Sequence, residues 1–404
     1  MSNYKLKYNK YKIKYLKLKS QLGGFSDKED KEAKKLITVI PNQETLKDGY
    51  DFDVFIPFEI VINMQLHDKK KVSKLQIINI IQLKTLKNHE FENLQELEFD
   101  NSFNDPLTEG DLPNSLKILT FGIKFNQPLA KNVLPSSLTK LTFNLLFNQP
   151  LNKGILPSSL TELDFGIKFN QPLTKDVLPI SLTKLTFSTV YNHPLIEGIL
   201  PSSLTKLIFG TLFNQPLDVG ILPSNLTELS FGNKFDQPLL PNVLPTGLKT
   251  LTFGINFNQP LLPNILPTGL TTLTFGINFN QPLLPNVLPT GLKTLTFAYK
   301  SKFNQPLAKG VLPTGLTKLS FGYIFNQTIK VDDLPIGLTS LSVGHYFNNG
   351  NTPLTLNVLP STLASIYFVN NNNNIYYDIL LTDDVLNNFT HQYDKQTRKM
   401  SLLR

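Results

Sequence analysis

Residues 270 to 291, LTTLTFGINFNQPLLPNVLPTG, form a segment of 22 residues that the chain repeats many times with small changes. Nearly the same letters occupy residues 248 to 269, and residues 292 to 315 carry them again with two residues added. A fixed period in the low twenties is typical of a solenoid, because one unit cannot bury its apolar side alone. The aromatic residue of FNQP marks twelve such units, at Phe103, Phe125, Phe147, Phe169, Tyr191, Phe213, Phe235, Phe257, Phe279, Phe303, Phe325 and Phe347.

The stretch LTTLTF predicts one short strand in each unit. Alternation places Leu273 and Phe275 on one side of this strand and Thr272 and Thr274 on the other. Stacking the units would align the strands as a parallel sheet. The sequence therefore predicts a mainly β, leucine-rich-repeat-like solenoid of about 12 to 13 coils, with a concave parallel sheet and capped ends.

The rest of the unit predicts an extended return path on the convex side. Gly276 would let the chain leave the strand, and the ring of Phe279 would stack on the same ring of the next unit. Asn280 would bond the backbone of a neighbouring coil, so the recurring asparagines predict a structural ladder. Pro282 and Pro289 disfavour a helix, because each removes an amide donor.

The motif Phe-Asn-x-Pro followed by Leu-Pro-x-x-Leu, repeated from residue 94 to about 368, resembles the FNIP repeat of social-amoeba and giant-virus proteins. This repeat is a relative of leucine-rich repeats. The third letter here is mostly glutamine, as at Gln281, where the family's name has isoleucine. The resemblance implies a solenoid that binds other molecules, and it does not imply an enzyme.

Bulk composition sets further limits. Among 404 residues there is no cysteine and no tryptophan, which excludes disulfides and cysteine-based zinc sites. No apolar run approaches the roughly 20 residues that span a bilayer. The first 24 residues lack the apolar core of a secretory signal. We therefore expect an intracellular protein, and the viral resemblance places it in the host cytoplasm.

The net charge of +8 is concentrated at the amino end. Residues 1–24 contain seven lysines and no acid, so subtracting 7 from 8 leaves +1 for the rest of the chain. A body that specifically binds nucleic acid would be expected to carry a basic face. We therefore predict no specific nucleic-acid partner.

Residues 1–24 also have the rhythm of an amphipathic helix. Gly23 and Gly24 would stop it, and residues 25–35 follow as a linker. Such a basic leader helix could be mobile, could oligomerise, or could touch acidic surfaces such as lipid or RNA. The leader resembles a segment that opens many proteins of giant amoeba-infecting viruses. The apolar stripe of the predicted leader helix consists of Tyr4, Tyr8, Tyr11, Tyr15, Leu18 and Leu22.

The array has predictable ends. Val72, Leu75 and Ile77 lie one period before the first clear strand, so the solenoid should span residues 72–369. Residues 36–71 would then form an N-terminal cap over the open sheet edge. Residues 370–404 would form an asparagine-rich link and a C-terminal cap or tail.

The stretch IPFEIVINM allows an alternative for residues 50–90. Ile56, Pro57, Glu59 and Ile60 resemble the opening of an F-box, although the chain lacks the tryptophan that an F-box commonly carries. A degenerate F-box would imply a substrate-recruiting adaptor of a host ubiquitin ligase.

The sequence shows no pattern of catalytic residues. None of the five histidines pairs with another at metal-ligand spacing, and His193 takes the place of the repeat's glutamine. Glu162 and Asp164 are neighbours on one strand and do not face each other. We therefore predict no enzyme, no metal site and no cofactor.

Some positions vary from unit to unit, whereas the residues of the repeated motif stay constant. We expect the variable positions to bind a protein partner of the host. One candidate surface is the charged first half of the outward strand face, formed by Lys140, Glu162, Lys184, Lys206 and Glu228. The other is an edge beside the two-residue insertion, where aromatic rings accompany charge and favour binding. Its residues are Tyr299, Lys300, Lys302, Tyr323 and His345.

Overall fold

A computed structural model describes residues 56–57, 74–77, 83, 93–344, 346–347, 355–369, 390–394 and 399–403. The leader helix at 1–24, the linker at 25–35, the asparagine-rich link and nearly all of the cap at 36–71 lie outside these residues and stay predictions. Contacts divide the chain into two units, Met1–Ile167 and Lys168–Arg404.

The first unit is a stack of parallel strands. Leu75 of β2 is in register with Leu97 of β3, and Ile77 with Phe99, one 22-residue step apart. The described part of this unit has six strands, and consecutive strands among them pair in parallel. They are β1 (Ile56–Pro57), β2 (Lys74–Ile77), β3 (Glu96–Phe99), β4 (Ile118–Thr120), β5 (Lys140–Thr142) and β6 (Glu162–Asp164).

The second unit continues the pattern and ends in a hairpin. Strands β7 to β15 pair in parallel, and β17 then pairs antiparallel with both β15 and β16. The C-terminal segment thus adds strands to the sheet. The strands are β7 (Lys184–Thr186), β8 (Lys206–Ile208), β9 (Glu228–Ser230), β10 (Thr250–Thr252), β11 (Thr272–Phe275), β12 (Thr294–Phe297), β13 (Lys318–Ser320), β14 (Ser340–Gly344), β15 (Ser365–Val369), β16 (Thr390–Asp394) and β17 (Lys399–Leu403).

Burial follows the alternation that the sequence predicts. Leu273 and Phe275 are fully buried, whereas Thr272 and Thr274 between them are half-buried. Their register partners one coil on repeat this pattern. The return path consists of turns and extended residues. The leucine-rich-repeat-like solenoid fold is therefore confirmed.

Two columns of phenylalanine rings fill each coil. Phe279 lies 6.1 Å from Phe257 and 6.1 Å from Phe303 between ring centroids, which confirms the predicted stacking between coils. A closer contact was not predicted: Phe275, at the end of the strand, stacks on Phe279 of its own coil at 3.8 Å. The strand ring and the turn ring therefore form a packed pair in this coil, as Phe253 does with Phe257 and Phe321 with Phe325, whereas Val343 takes the strand position before Phe347.

The asparagine ladder is confirmed. The Asn280 side-chain oxygen accepts a hydrogen bond from the backbone N–H of Asn304, 2.9 Å away, and the Asn280 N–H donates to Asn258 in the same way. These side chains are half-buried, not fully buried as a core amide would be. The adjacent glutamines form a second ladder, since the Gln305 amide nitrogen donates to the Asn280 carbonyl oxygen at 3.0 Å.

Two substitutions show which atoms these ladders need. Asp236 replaces the asparagine, and its carboxylate oxygen still accepts from the Asn258 N–H at 2.9 Å, because the ladder uses only the acceptor. His193 replaces the glutamine, and its Nε2 lies 2.9 Å from the Asn170 carbonyl oxygen. His193 therefore continues the glutamine ladder.

Glycine recurs after the strand because coils approach closely there. A Cβ on Gly276 would lie 1.8 Å from the Gly254 carbonyl oxygen, so close packing, and not only the exit from the strand, requires glycine. A different column, in the return path, has a positive φ, as at Asn286 (66°). Only Gly, Asn and Asp occupy this column, since they tolerate the left-handed region best: Gly110, Asn132, Gly154, Asp176, Gly198, Gly220, Asn242, Asn264, Asn286, Gly310 and Asp332.

Candidate interaction surface

The residues that point away from the buried side of the strands form an outward face. In the first unit, Lys140 of β5 lies opposite Glu162 of β6, with Nζ 3.8 Å from the carboxylate. In the second unit, Lys206 of β8 pairs with Glu228 of β9 at 2.6 Å. Lys184 takes the same position on β7 and is half-buried. Lys140, Glu162, Lys206 and Glu228 thus form two cross-strand ion pairs, which at an exposed surface stabilise by about 0–1 kcal/mol each.

The outward face changes character at β10. From β10 to β15, Lys318 is the one charged residue among twelve outward side chains of the described strands. The register aligns these side chains in two rows across the strands. The other eleven carry hydroxyl groups: Thr250, Thr252, Thr272, Thr274, Thr294, Thr296, Ser320, Ser340, Ser342, Ser365 and Tyr367.

A row of tyrosines lies just beyond the C-terminal ends of these strands. The ring centroids of Tyr299 and Tyr323 are 5.8 Å apart, as the sequence suggests for neighbouring coils. The next ring is that of Tyr346, 5.5 Å from Tyr323 and 57% exposed. Sequence reasoning missed Tyr346, because the 22-residue step points to His345, which lies outside the described residues. The signal that could have found it is an aromatic residue directly after the position that the 22-residue step gives.

The two-residue insertion presents two lysines beside this row. Ser301 is fully buried, and its N–H donates to the Ala298 carbonyl oxygen at 2.7 Å. Lys300 and Lys302 on either side of it are exposed. The Lys302 N–H donates to the Ile277 carbonyl oxygen at 2.6 Å, which fixes the loop to the preceding coil. Tyr299 and Tyr323 are thus in contact between neighbouring coils, and Lys300 and Lys302 lie in the loop that follows Tyr299.

The Tyr299 hydroxyl oxygen is buried within this row although its ring is half-buried. It has no hydrogen-bond partner. Burial raises the pKa of the Tyr299 hydroxyl, and the neighbouring Tyr323 adds a smaller effect in the same direction. The hydroxyl is therefore neutral at physiological pH and is available as a donor if an acceptor reaches it.

The predicted residues fall in both units. The aromatic edge and the charged strands β7 to β9 belong to the second unit, whereas Lys140 and Glu162 belong to the first.

In the described ranges, no group of three or more His, Cys, Asp or Glu residues could hold a metal ion. Across that same part of the chain, no helix is long and apolar enough to cross a membrane.

Coil geometry and outward face together define a leucine-rich-repeat-like solenoid. The FNIP Repeat model matches residues 88–124, 125–168, 169–212, 213–256, 257–300, 303–344 and 325–371. The chain therefore belongs to the FNIP repeat family. No curated protein matches this chain.

Among solved structures, the chain is similar to the crystal structure of CroV588, described as a novel circular LRR protein, from a giant virus. The two sequences are 40% identical, with a TM-score of 0.63. The match covers 77% of this chain and 52% of CroV588, so this chain spans about half the length of that structure.

Proposed function

We propose that this chain is a non-enzymatic scaffold that binds a protein partner of the host on the outward face, or along the tyrosine edge, of its solenoid. The observation that carries the proposal is a constant frame with a variable surface. Phe, Asn, Pro and Leu recur at fixed positions and hold the coils, whereas the outward residues change from charged pairs to hydroxyls. A variable surface on a constant frame is what recognition of a partner requires.

The tyrosine edge is the stronger candidate for the centre of the interface. Tyr299, Tyr323 and Tyr346 supply rigid aromatic area, and Lys300 and Lys302 supply charge. Aromatic side chains dominate the energetics of protein interfaces. Lys140, Glu162, Lys206 and Glu228 on the outward face already bind one another in pairs, so they have less to offer a partner.

Affinity purification with matched variants tests this proposal. The full chain would be immobilised and exposed to extract of the host cell beside the Tyr299→Ala/Tyr323→Ala and Lys140→Ala/Lys184→Ala double variants. We expect a protein retained by the parent to be lost from the tyrosine variant and kept by the lysine variant. Equal retention by all three would move the interface elsewhere. Turnover of a substrate that disappears on mutation of one outward residue would overturn the non-enzymatic role.

The adaptor alternative needs its own test, since most of residues 50–90 lie outside the described part of the chain. The backbones of Ile56 and Pro57 pair with β2, at Leu75 and Gln76. This position at the sheet edge supports the cap interpretation. Co-purification with a Skp-type adaptor, abolished by changing Pro57 and Ile60, would favour an F-box.

A further inference from the structure

We propose that the outward face of β10 to β14, with the lysines around it, docks an acidic, extended segment of a protein partner. We call this surface the lysine–hydroxyl face. It consists of the outward hydroxyl residues of these strands together with Lys249, Lys293, Lys300, Lys302 and Lys318. The proposal rests on the proposed function as a scaffold and specifies the chemistry of the partner.

Charge is the first observation behind this proposal. The body of the chain is nearly neutral in sum but not in distribution. From Gln237 to Val331 there are seven lysines and no Asp, Glu or Arg, so these 95 residues carry a charge of +7. A surface of one sign attracts a partner of the opposite sign and speeds their encounter.

The lysines lie at both ends of the strands. Lys249 and Lys293 immediately precede β10 and β12, and each Nζ lies 3.3 Å from a glycine carbonyl oxygen of the next coil. An ammonium group has three donors, so these contacts leave donors for a ligand. Lys318 lies on β13, and Lys300 and Lys302 follow β12. All five lysines are exposed.

The acidic residues at the borders of this face are already paired. Glu228 is in register with Thr250 of β10, but its carboxylate binds Lys206 at 2.6 Å. Beyond β13, Asp332 binds Lys309 at 2.9 Å. The charge of the lysine–hydroxyl face is therefore not neutralised by these neighbours.

The floor between the lysines consists of hydrogen-bond donors. Nine of the ten outward residues of β10 to β14 are Thr or Ser, and all of these are half-buried and aligned by the strand register. Carboxylates accept hydrogen bonds only, so a segment rich in Asp or Glu complements both the donors and the charge.

Ring geometry favours an acidic protein segment over single-stranded nucleic acid. Sites for single strands use open aromatic faces on which bases stack. Here the ring centroids of Tyr299 and Tyr323 are 5.8 Å apart and those of Tyr323 and Tyr346 are 5.5 Å apart, with the rings tilted by 30° and 46°, so neighbouring rings are in contact. The spacing leaves no room for a base between them.

A labelled peptide binding assay tests the proposal. The probe is a synthetic twelve-residue glutamate-rich peptide, with a glutamine-rich peptide of equal length as the control, measured by fluorescence anisotropy with the full chain. We expect only the acidic peptide to bind, and more weakly as salt is raised. The Lys300→Gln/Lys302→Gln/Lys318→Gln variant should bind about tenfold more weakly.

Matched variants separate a specific face from general charge. Lys168→Gln/Lys175→Gln/Lys234→Gln removes the same charge from exposed lysines of the same unit outside this face. It should leave the affinity nearly unchanged. A variant with arginine at 300, 302 and 318 keeps the positive charge and should bind like the parent. If substitution at these positions disrupted the fold, this variant would lose binding as well. Equal weakening by the two glutamine variants would overturn the proposal.

Two further outcomes would also overturn it. Tighter binding of a thymidine oligonucleotide than of the acidic peptide would make the face a nucleic-acid site. Self-association in sedimentation velocity, lost in the Lys300/Lys302/Lys318 glutamine variant, would make the occupant a second copy of this chain. Failure of the peptide to bind would leave the affinity-purification result intact, so the two proposals fail separately.

Discussion

Residues 168–236 and 237–331 belong to one unit and share one coil design, but their charges differ. The first stretch has five lysines and five acidic residues, whereas the second has seven lysines and no acid. Their buried columns are the same, since Phe213 and Phe279 are both fully buried between neighbouring rings. The comparison teaches that buried columns hold the fold, whereas the outward positions can change without altering it.

The frame itself differs between the two stretches at one turn. In the first stretch, the Ser203 hydroxyl donates to the Leu182 carbonyl oxygen of the preceding coil at 2.6 Å. In the second, glycine takes this position, and a Cβ on Gly269 would lie 3.0 Å from the Thr246 carbonyl oxygen. One turn joins its neighbour by a hydroxyl bond and the other by close backbone packing. Both solutions give strands in the same register.

Truncating a turn phenylalanine should have the largest effect in either stretch. Phe279→Ala should lower the free energy of unfolding by about 3–5 kcal/mol, because it leaves a cavity beside Phe275 and two neighbouring rings. Phe213→Ala is the matched variant in the charged stretch and should lose a similar amount. Urea unfolding followed by circular dichroism measures both. A large difference between them would show that the two stretches do not share one frame.

Adding a methyl group at the glycine after the strand should come next. Gly276→Ala should cost about 1–3 kcal/mol, because the Gly254 carbonyl oxygen is backbone and has little freedom to move away. The control is Ala298→Gly, since that coil already accepts a Cβ at the same column. This control should cost less than about 1 kcal/mol. Thermal melting that ranks the two variants in the opposite order would contradict the close-packing explanation.

Removing one ladder acceptor should have a moderate effect. Asn280→Ala leaves the Asn304 N–H without its acceptor and should cost about 1–2 kcal/mol, since the site is half-buried. Asn280→Asp keeps the acceptor, as Asp236 does one stretch earlier, and should retain most of the stability. Chemical unfolding compares the two. An unchanged midpoint for the alanine variant would mean that the ladder contributes little.

Replacing the tyrosine of the charged stretch by the phenylalanine of its column should stabilise slightly. The Tyr191 hydroxyl is buried without a hydrogen bond of normal geometry, so Tyr191→Phe should gain about 1 kcal/mol. Burial raises the pKa of the Tyr191 hydroxyl to about 12. The backbone of Leu173 has a smaller effect that lowers this pKa.

The same variant predicts a dependence on pH. Because the folded pKa is raised above the ordinary value of 10.0, the tyrosine's contribution is fully present below pH 10 and is lost as the pH rises to about 12. Stability of the parent should fall over this window more steeply than that of Tyr191→Phe. Parallel curves for the two proteins would show that this hydroxyl does not titrate differently on unfolding.

Breaking an outward ion pair should have the smallest effect. Glu228→Gln removes the 2.6 Å contact with Lys206, but both side chains are well exposed, so the loss should be below about 1 kcal/mol. A double-mutant cycle with Lys206→Gln isolates the pair. A coupling energy well above that value would mean that the charged stretch depends on its surface for stability.

Prediction from the sequence succeeded where a residue type recurs at one position of every coil. The strand at Leu273 and Phe275, the extended return path and the asparagine ladder all follow from letters that recur every 22 residues. It was incomplete where two positions meet in space, as in the stacking of Phe275 on Phe279 and the glutamine ladder. The aromatic edge was predicted in part, since Tyr346 lies one position away from the expected His345.

The sequence by itself determined the repeating coil, because alternation, proline and the 22-residue period act locally and allow only a stacked parallel sheet to bury the apolar side. Only the tertiary structure decided the distances between atoms of neighbouring coils. Gly276 is required by a carbonyl oxygen 22 residues earlier in the chain. Lys206 is paired by a carboxylate 22 residues later. The distances that fix these roles exist only once the coils are stacked.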